Sequence, residues 1–505
     1  MMNERASGIL MHPTSLPGKY GIGSLGKSSL EFIDFLAKAK QTYWQILPLG
    51  PTGYADSPYQ CFSAHAGNSN LIDLDLLVKG RLLTQDDLED FPVLPDDYIE
   101  YDAVQNARLP LLRKAFRNFS VNADSMEKMA YRNFLKEHAK WLTDYSIFRT
   151  IKANREQKPW YLWENELKMR DPEAIRTMQS TLHEEIEFHK FLQFIFFRQW
   201  MAVKEYAHTR KVKIIGDIPL YIALDSADAW ANPEIFEFDE NRNPIRVGGV
   251  PPDYFSETGQ LWGNPLFRWD LLKESGYQWW IDRINTNLML YDVIRIDHFR
   301  GFAAYWAVPY TEKTAIKGEW IPCPGEDFFT VMKQHYGNLP IIAEDLGVIT
   351  PDVESLRDGF GLPGMKILQF AFDSSEANDY IPHNYVKNCI VYTGTHDNDT
   401  VNGWFDKASS ADRKYVLDYL NTQGKDIHWS FIRLAWASVA NTAIVPMQDL
   451  LGLGTEARMN LPGTTDSNWC WRITKGSCTP DLAEQLAHLT MLYGRTEMPK
   501  KKQTG

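Results

Sequence analysis

Eight short runs rich in β-branched and aromatic residues recur along this 505-residue chain, at residues 8–12, 43–49, 212–220, 293–298, 340–345, 365–370, 389–396 and 443–450. Seven of them have Pro, Asp or His at the last residue or the one before it, and segments of helical periodicity such as 411–420 lie between them. Eight strands alternating with helices predict an α/β fold of one kind, a closed parallel (β/α)8 TIM barrel. Such a barrel collects the carboxyl ends of all its strands on one face, so residues far apart in sequence can meet around one ligand.

The spacing is uneven. Residues 73–211, between the second and third runs, far exceed one crossover helix and predict an inserted helical subdomain. Its segments 106–118, 125–142 and 183–206 are charged and helix-prone, and Phe188, Phe191, Leu192, Ile195 and Phe196 recur at the spacing of a helix packed on a core. A second insertion, about 223–280, carries Gly248-Gly249-Val250-Pro251-Pro252-Asp253-Tyr254-Phe255 and Trp262-Gly263-Asn264-Pro265, which reads as an ordered loop subdomain over a site. With no internal repeat or low-complexity block, residues 1–498 are expected to form one elaborated domain and 499–505 a flexible tail.

A net charge of −12 opposes a nucleic-acid or anionic-membrane partner and suits a neutral substrate. The 17 Trp, 23 Tyr and 26 Phe are enough for some rings to face a sugar, although for most of them core packing suffices. Five scattered cysteines without a CxxC pair suggest neither a disulfide framework nor a zinc site, and point to a reducing cytoplasm. The first residues lead into only a short apolar stretch, and no apolar run is long enough to span a bilayer, which reads as a soluble, unprocessed protein.

Three of the runs end in acids: Arg295-Ile296-Asp297-His298, Ala343-Glu344-Asp345 and Thr395-His396-Asp397-Asn398. Side chains alternate along a strand, so Arg295 and Asp297 share one face while Ile294 and Ile296 point to the surrounding helices. A guanidinium beside Asp297 favours a carboxylate able to attack an anomeric carbon. Glu344 shares the inward parity of Ile342, where burial would keep it protonated as a general acid. Asp397, assisted by His396, would hydrogen-bond the hydroxyls of the reacting ring as an oxocarbenium-like state develops. Any one of these acids could be a cap or turn residue, whereas the set on three strand ends is the layout of a barrel glycosidase.

These motifs, with Ser57-Pro58-Tyr59, Gly216-Asp217-Ile218-Pro219, Leu261-Trp262-Gly263-Asn264-Pro265 and Arg458-Met459-Asn460-Leu461-Pro462-Gly463, resemble glycoside hydrolase family 77, the amylomaltase family of 4-α-glucanotransferases within the α-amylase superfamily. The likeness spans nearly the whole chain. It implies a barrel without a separate C-terminal β domain, a nucleophile at Asp297, an acid/base at Glu344 and a transition-state stabiliser at Asp397. It further implies substrate contacts at Ser57, Tyr59, Asp217, Trp262, Arg295, His396 and Asn460, with Gln260 and Phe370 as additional candidates. Tyr54 and Tyr101 match a secondary glucan groove of some members. Transfer also favours aromatic platforms in the acceptor subsites, for which Tyr59, Trp262, Tyr254 and Phe255 are the candidate walls. The implied activity is retaining transfer of α-1,4-glucan from maltooligosaccharide or starch to another glucan, with no cofactor or metal. Cys61 stands where a hydroxyl residue is expected. A hydrolytic α-amylase relative and a non-catalytic glucan-binding scaffold are the alternatives.

Other motifs lack their context. Gly21-Ile22-Gly23-Ser24-Leu25-Gly26 is separated from its strand, and the next strand ends in Pro48-Leu49-Gly50 instead of a ribose-binding acid. Gly452-Leu453-Gly454-Thr455-Glu456-Ala457 does follow a strand, but it runs into the 458–463 segment, which fits a substrate loop. His183-Glu184 has no second His at zincin spacing, and there is no DxDxDG calcium loop.

Overall fold

The computed structural model describes residues 4–252, 256–372 and 378–496. At its centre eight parallel strands lie where the sequence predicts them: β1 (Ala6–Leu10), β2 (Tyr43–Gln45), β3 (Lys213–Pro219), β4 (Val293–Asp297), β5 (Ile341–Ala343), β6 (Gly364–Ile367), β7 (Cys389–Tyr392) and β8 (Thr442–Pro446). The order β6-β7-β8-β1-β2-β3-β4-β5 places each strand beside its neighbours in the chain. The Ala343 amide donates to the Pro363 carbonyl at 2.9 Å and brings β5 back to the start of β6, closing the TIM barrel.

Alternation along each strand sorts the residues into two cores. Leu10, Tyr43, Ile215, Val293, Ile342, Met365, Ile390, Tyr392 and Ile444 fill the lumen. Ile9, Trp44, Ile214, Ile294, Ile296, Val391 and Ala443 point outward into the larger core beneath the helices. The lumen leaves no room at Gly8, where an added Cβ would lie 2.5 Å from the Tyr43 carbonyl oxygen and 2.9 Å from Ile444.

Between β2 and β3 the chain forms the helices Tyr101–Asn122, Ser125–Glu137, Ala139–Asn154 and Pro172–Thr181, then the 27-residue helix His183–Thr209 that leads into β3. This last helix buries Phe188, Phe191, Leu192, Ile195 and Phe196. It also holds the loop after β2 by its backbone. Gln193 accepts from the Gly67 amide at 2.7 Å and donates to the Gly67 carbonyl at 2.9 Å, and Gln199 does the same for Asp73 at 2.7 and 3.2 Å. Only glycine fits at residue 67, since a Cβ there would sit 2.0 Å from the Phe196 ring.

The 223–280 stretch holds more regular structure than an ordered loop. Its strands Arg246–Val250 and Gln260–Pro265 join Ala304–Pro309 and Glu319–Pro322 in a four-stranded antiparallel sheet. Paired glycines and a register shift between Val247 and Gly249 break the alternation by which a strand is recognised. Tyr254, Phe255 and the 499–505 tail lie outside the described residues. After β8 the chain carries the helices Met447–Leu450 and Pro480–Leu492, and no further sheet appears among the described residues. Among those residues no helix is long and apolar enough to cross a membrane.

The packing at Gly8 sets a test of the lumen. Gly8→Ala is expected to lower stability by about 2 kcal/mol through forced displacement of β2, read as a lower urea midpoint. Gly359→Ala, where a Cβ meets nothing within 4 Å, should leave the midpoint unchanged or slightly raised.

Candidate active site

Arg295, buried inside the mouth of the barrel, joins two carboxylates. Its Nη1 donates to both oxygens of Asp217 at 2.8 and 2.7 Å, and its Nη2 to Asp297 Oδ1 at 2.8 Å. The register explains the grouping: Asp217 on β3 lies opposite Arg295 on β4, and Asp297 follows two residues later on the same face. Burial raises the Asp217 carboxyl above its usual range, against the pull of Arg295. Asp297 is the more open of the two, with 32% of its side chain exposed against 0% for Asp217.

Glu344, just past β5, turns both carboxyl oxygens to backbone amides, His298 N at 2.6 Å and Leu346 N at 2.9 Å. The first of these requires His298 to adopt a left-handed conformation (φ 57°, ψ 49°) immediately after Asp297, which is uncommon outside glycine. Two further backbone bonds, Glu344 N to Ile296 O at 3.1 Å and Phe299 N to Glu344 O at 3.0 Å, lock the strand ends together. Burial first, and the charge of Asp297 second, push the Glu344 carboxyl up to about 8, against Arg295 and the two amides. Both effects disfavour a second negative charge in the same space.

Asp397, beyond β7, accepts from Asn460 Nδ2 at 2.6 Å and lies 3.4 Å from His396 Nε2. Arg458 fixes the loop that brings Asn460 there, donating to the backbone oxygens of Asp397 at 2.5 Å and Asn460 at 2.7 Å. Tyr59 ties this side to the other. Its hydroxyl donates to Asp217 Oδ2 at 2.9 Å while its ring stacks on His396 at 5.0 Å and 20°. Ser57 supports Tyr59 by accepting its backbone N–H at 3.2 Å.

Trp262 stands on the antiparallel sheet with its ring 4.8 Å from and perpendicular to that of His298, and its Nε1 donates to Gln260 at 3.2 Å. Phe370, on the turn after β6, is 37% exposed and meets Tyr380 edge-on at 5.4 Å. The two tyrosines of the expected secondary groove differ. Tyr54 is 75% exposed, whereas Tyr101 is 7% exposed and its hydroxyl donates to the Trp469 carbonyl at 3.0 Å. Tyr101 therefore offers no open face, and Tyr54 alone of the pair could stack on a ligand. Beside Tyr59 and Asp217 a cleft of about 490 Å³, open space included, is lined in part by Cys61, whose thiol burial pushes up to about 12.

Other residues at the mouth were not predicted. Trp469 packs 5.8 Å from both Tyr59 and His396, and buried His12 stands near His396, burial holding it neutral with a pKa of about 3. His298 is similarly depressed to about 4 by burial, and its Nε2 has no hydrogen-bond partner among the described residues. The pattern of strand ends could have marked His12, since it directly follows the first run; nothing periodic marks Trp469. Among the described residues no group of three or more His, Cys, Asp or Glu is placed to hold a metal ion.

The glycoside hydrolase family 77 model, described as 4-alpha-glucanotransferase, matches residues 11–478. A 4-alpha-glucanotransferase of Synechocystis is 50% identical over 98% of this chain and 99% of its own, and one of Thermus thermophilus is 47% identical over 95% and 97%. The amylomaltase of Streptococcus agalactiae, solved in complex with acarbose, superposes with a TM-score of 0.95 at 41% identity over 98% of this chain and 100% of its own. An amylomaltase from Corynebacterium glutamicum shares the fold at 18% identity, with a TM-score of 0.78 over 98% of this chain and 75% of its own. The chain belongs to the 4-alpha-glucanotransferase family, glycoside hydrolase family 77.

Proposed function

We propose that this chain cleaves an α-1,4 bond in a maltooligosaccharide or starch chain and passes the new end to the 4-hydroxyl of another glucan or of glucose, by double displacement through Asp297. The pairing of Asp297 and Glu344 carries this reading: one is bonded to a guanidinium and open to solvent, the other buried and inclined to keep its proton.

In the first step Asp297 attacks C1 while Glu344 gives its proton to the departing glycosidic oxygen; the C1–O bond breaks and a glycosyl ester forms. In the second, the acceptor hydroxyl yields its proton to the Glu344 carboxylate as its oxygen attacks C1, the ester breaks, and the α configuration returns. Asp397, oriented by Asn460, and His396 hold the hydroxyls of the reacting ring. Tyr59 and Trp262 supply ring faces for the sugars on either side of it, and Asp217 and Arg295 fix Asp297 in position. Transfer in place of hydrolysis requires the acceptor subsites to retain a sugar while water is kept from the ester. A cytoplasmic setting suits the chain, whose five cysteines are all free thiols.

Incubation with maltotriose should give glucose together with chains longer than the donor; products shorter than the donor alone would make the chain a hydrolase. Asp297→Asn should cut turnover roughly 10³-fold or more while retaining glucan binding, and undiminished turnover would rule out its role. Because the first step uses the protonated form of Glu344, kcat/KM should fall above an apparent pKa near 8, measurable in a pH profile with maltotriose. The same group sets a stability test. A carboxyl raised from 4.5 to about 8 makes the folded chain hold more protons than the unfolded one, so stability is lost as pH rises through that window. Glu344→Gln should therefore gain stability relative to the parent between about pH 4.5 and 8, by roughly 1–3 kcal/mol, seen in denaturant titrations at the two ends of the range.

A further inference from the structure

A second cleft, about 890 Å³ including its open mouth, lies between the helix Ala139–Asn154 and the helix Gln278–Leu290 that leads into β4. None of the residues given a role in the proposed chemistry lines it. Ser63 and His65 are the wall it shares with the cleft beside Tyr59 and Asp217.

Part of its lining is aromatic. His65 lies nearly parallel to Trp141 at 6.0 Å and 13°, Trp279 meets His65 edge-on at 6.5 Å, and both indoles are only partly buried. Thr286 Oγ1 already donates to the Asp282 carbonyl at 3.1 Å, so its 3.0 Å bond to His65 Nδ1 has the histidine as donor. That fixes the ring as a rigid wall.

The remainder is polar and includes four carboxylates, Glu137, Asp144, Asp228 and Asp282, two of them in ion pairs within the protein. Asp282 is paired with Lys140, Asp144 with Arg170 at 2.6 Å, and Asp228 accepts the Ala64 amide at 2.8 Å. Carboxylates held in this way make a poor trap for a free cation but keep oxygen lone pairs available to hydroxyl donors. The exposed amide of Asn285 and that of Asn232 add further hydrogen-bonding groups to the lining. Aromatic rings beside a rim of carboxylate and amide hydrogen-bonding groups suit a pyranose, which has apolar C–H faces and a belt of hydroxyls that donate to such oxygens.

We propose that this cleft binds a second stretch of α-glucan, away from the bond being exchanged. The proposal rests on the substrate class proposed above. A polymer held at two places raises its own effective concentration at the barrel mouth, an advantage that a trisaccharide cannot use.

The test is retardation of the full-length chain in native gels containing amylose, alongside transfer kinetics on maltotriose. Ala231→Trp fills the cleft and Trp279→Ala removes a ring. Each should weaken amylose retardation about fivefold to tenfold while kcat/KM on maltotriose stays within about twofold. Where either variant also loses maltotriose turnover through misfolding, the exposed substitution Asn285→Trp takes its place. Unchanged retardation in the folded variants overturns the proposal, as does a wild-type chain that transfers maltotriose but runs unretarded. Loss of retardation in Tyr54→Ala alone places polymer binding at Tyr54 and also overturns it. Failure of the wild-type chain to lengthen maltotriose is a separate result, which removes the transferase reading whatever the gels show.

Discussion

The mouth of the barrel depends on one buried cation shared between two carboxylates. Arg295 is almost wholly removed from water, and an isolated guanidinium there would be strongly disfavoured. Asp217 and Asp297 together compensate it, and the cost of breaking either bond would fall on the charge left behind. The same ion thereby sets where Asp217 sits, and Asp217 in turn receives the Tyr59 hydroxyl. Tyr59 lies on His396, which stands beside Asp397. A line of direct contacts thus runs from β4 through β3 to the loop after β7, and the side chains of opposite barrel walls are placed by one electrostatic constraint.

The sequence discloses those parts that follow a local period. All eight barrel strands are marked by β-rich runs, most of them ending at or beside a turn residue, and the face taken by Arg295 and Asp297 follows from alternation alone. Ile342 in the lumen likewise gives the inward parity of Glu344. The four-stranded antiparallel sheet escapes this reading because its strands carry glycine pairs, end in proline and pair across long intervals, as Gly249 does with Trp306. Trp469 escapes it as well: it reaches Tyr59 by the path of a loop, and no spacing in the chain encodes that path. Tyr101 shows the converse. A tyrosine matched by motif to a surface groove is here closed over by Ile22, Ile99 and Val104, which a one-dimensional pattern cannot register.

The helical insertion bears on the site in a different manner. The helix His183–Thr209 carries its apolar stripe into the core, and the same helix presents Gln193 and Gln199 to the backbone of the loop that descends from Tyr59. A buried backbone amide and carbonyl left without partners would each be unfavourable, so the glutamines do more than fill space. They define a path for a segment that has little regular structure of its own.

The left-handed turn at His298 has a wider consequence. Asp297 ends β4, and the very next amide is bonded to Glu344. The gap between the two carboxyl groups proposed as attacker and proton donor is therefore gauged by a single peptide unit, a ruler built into one strand end. On that proposal, lengthening or trimming the surrounding excursions would reshape which sugars are admitted without resetting that gauge.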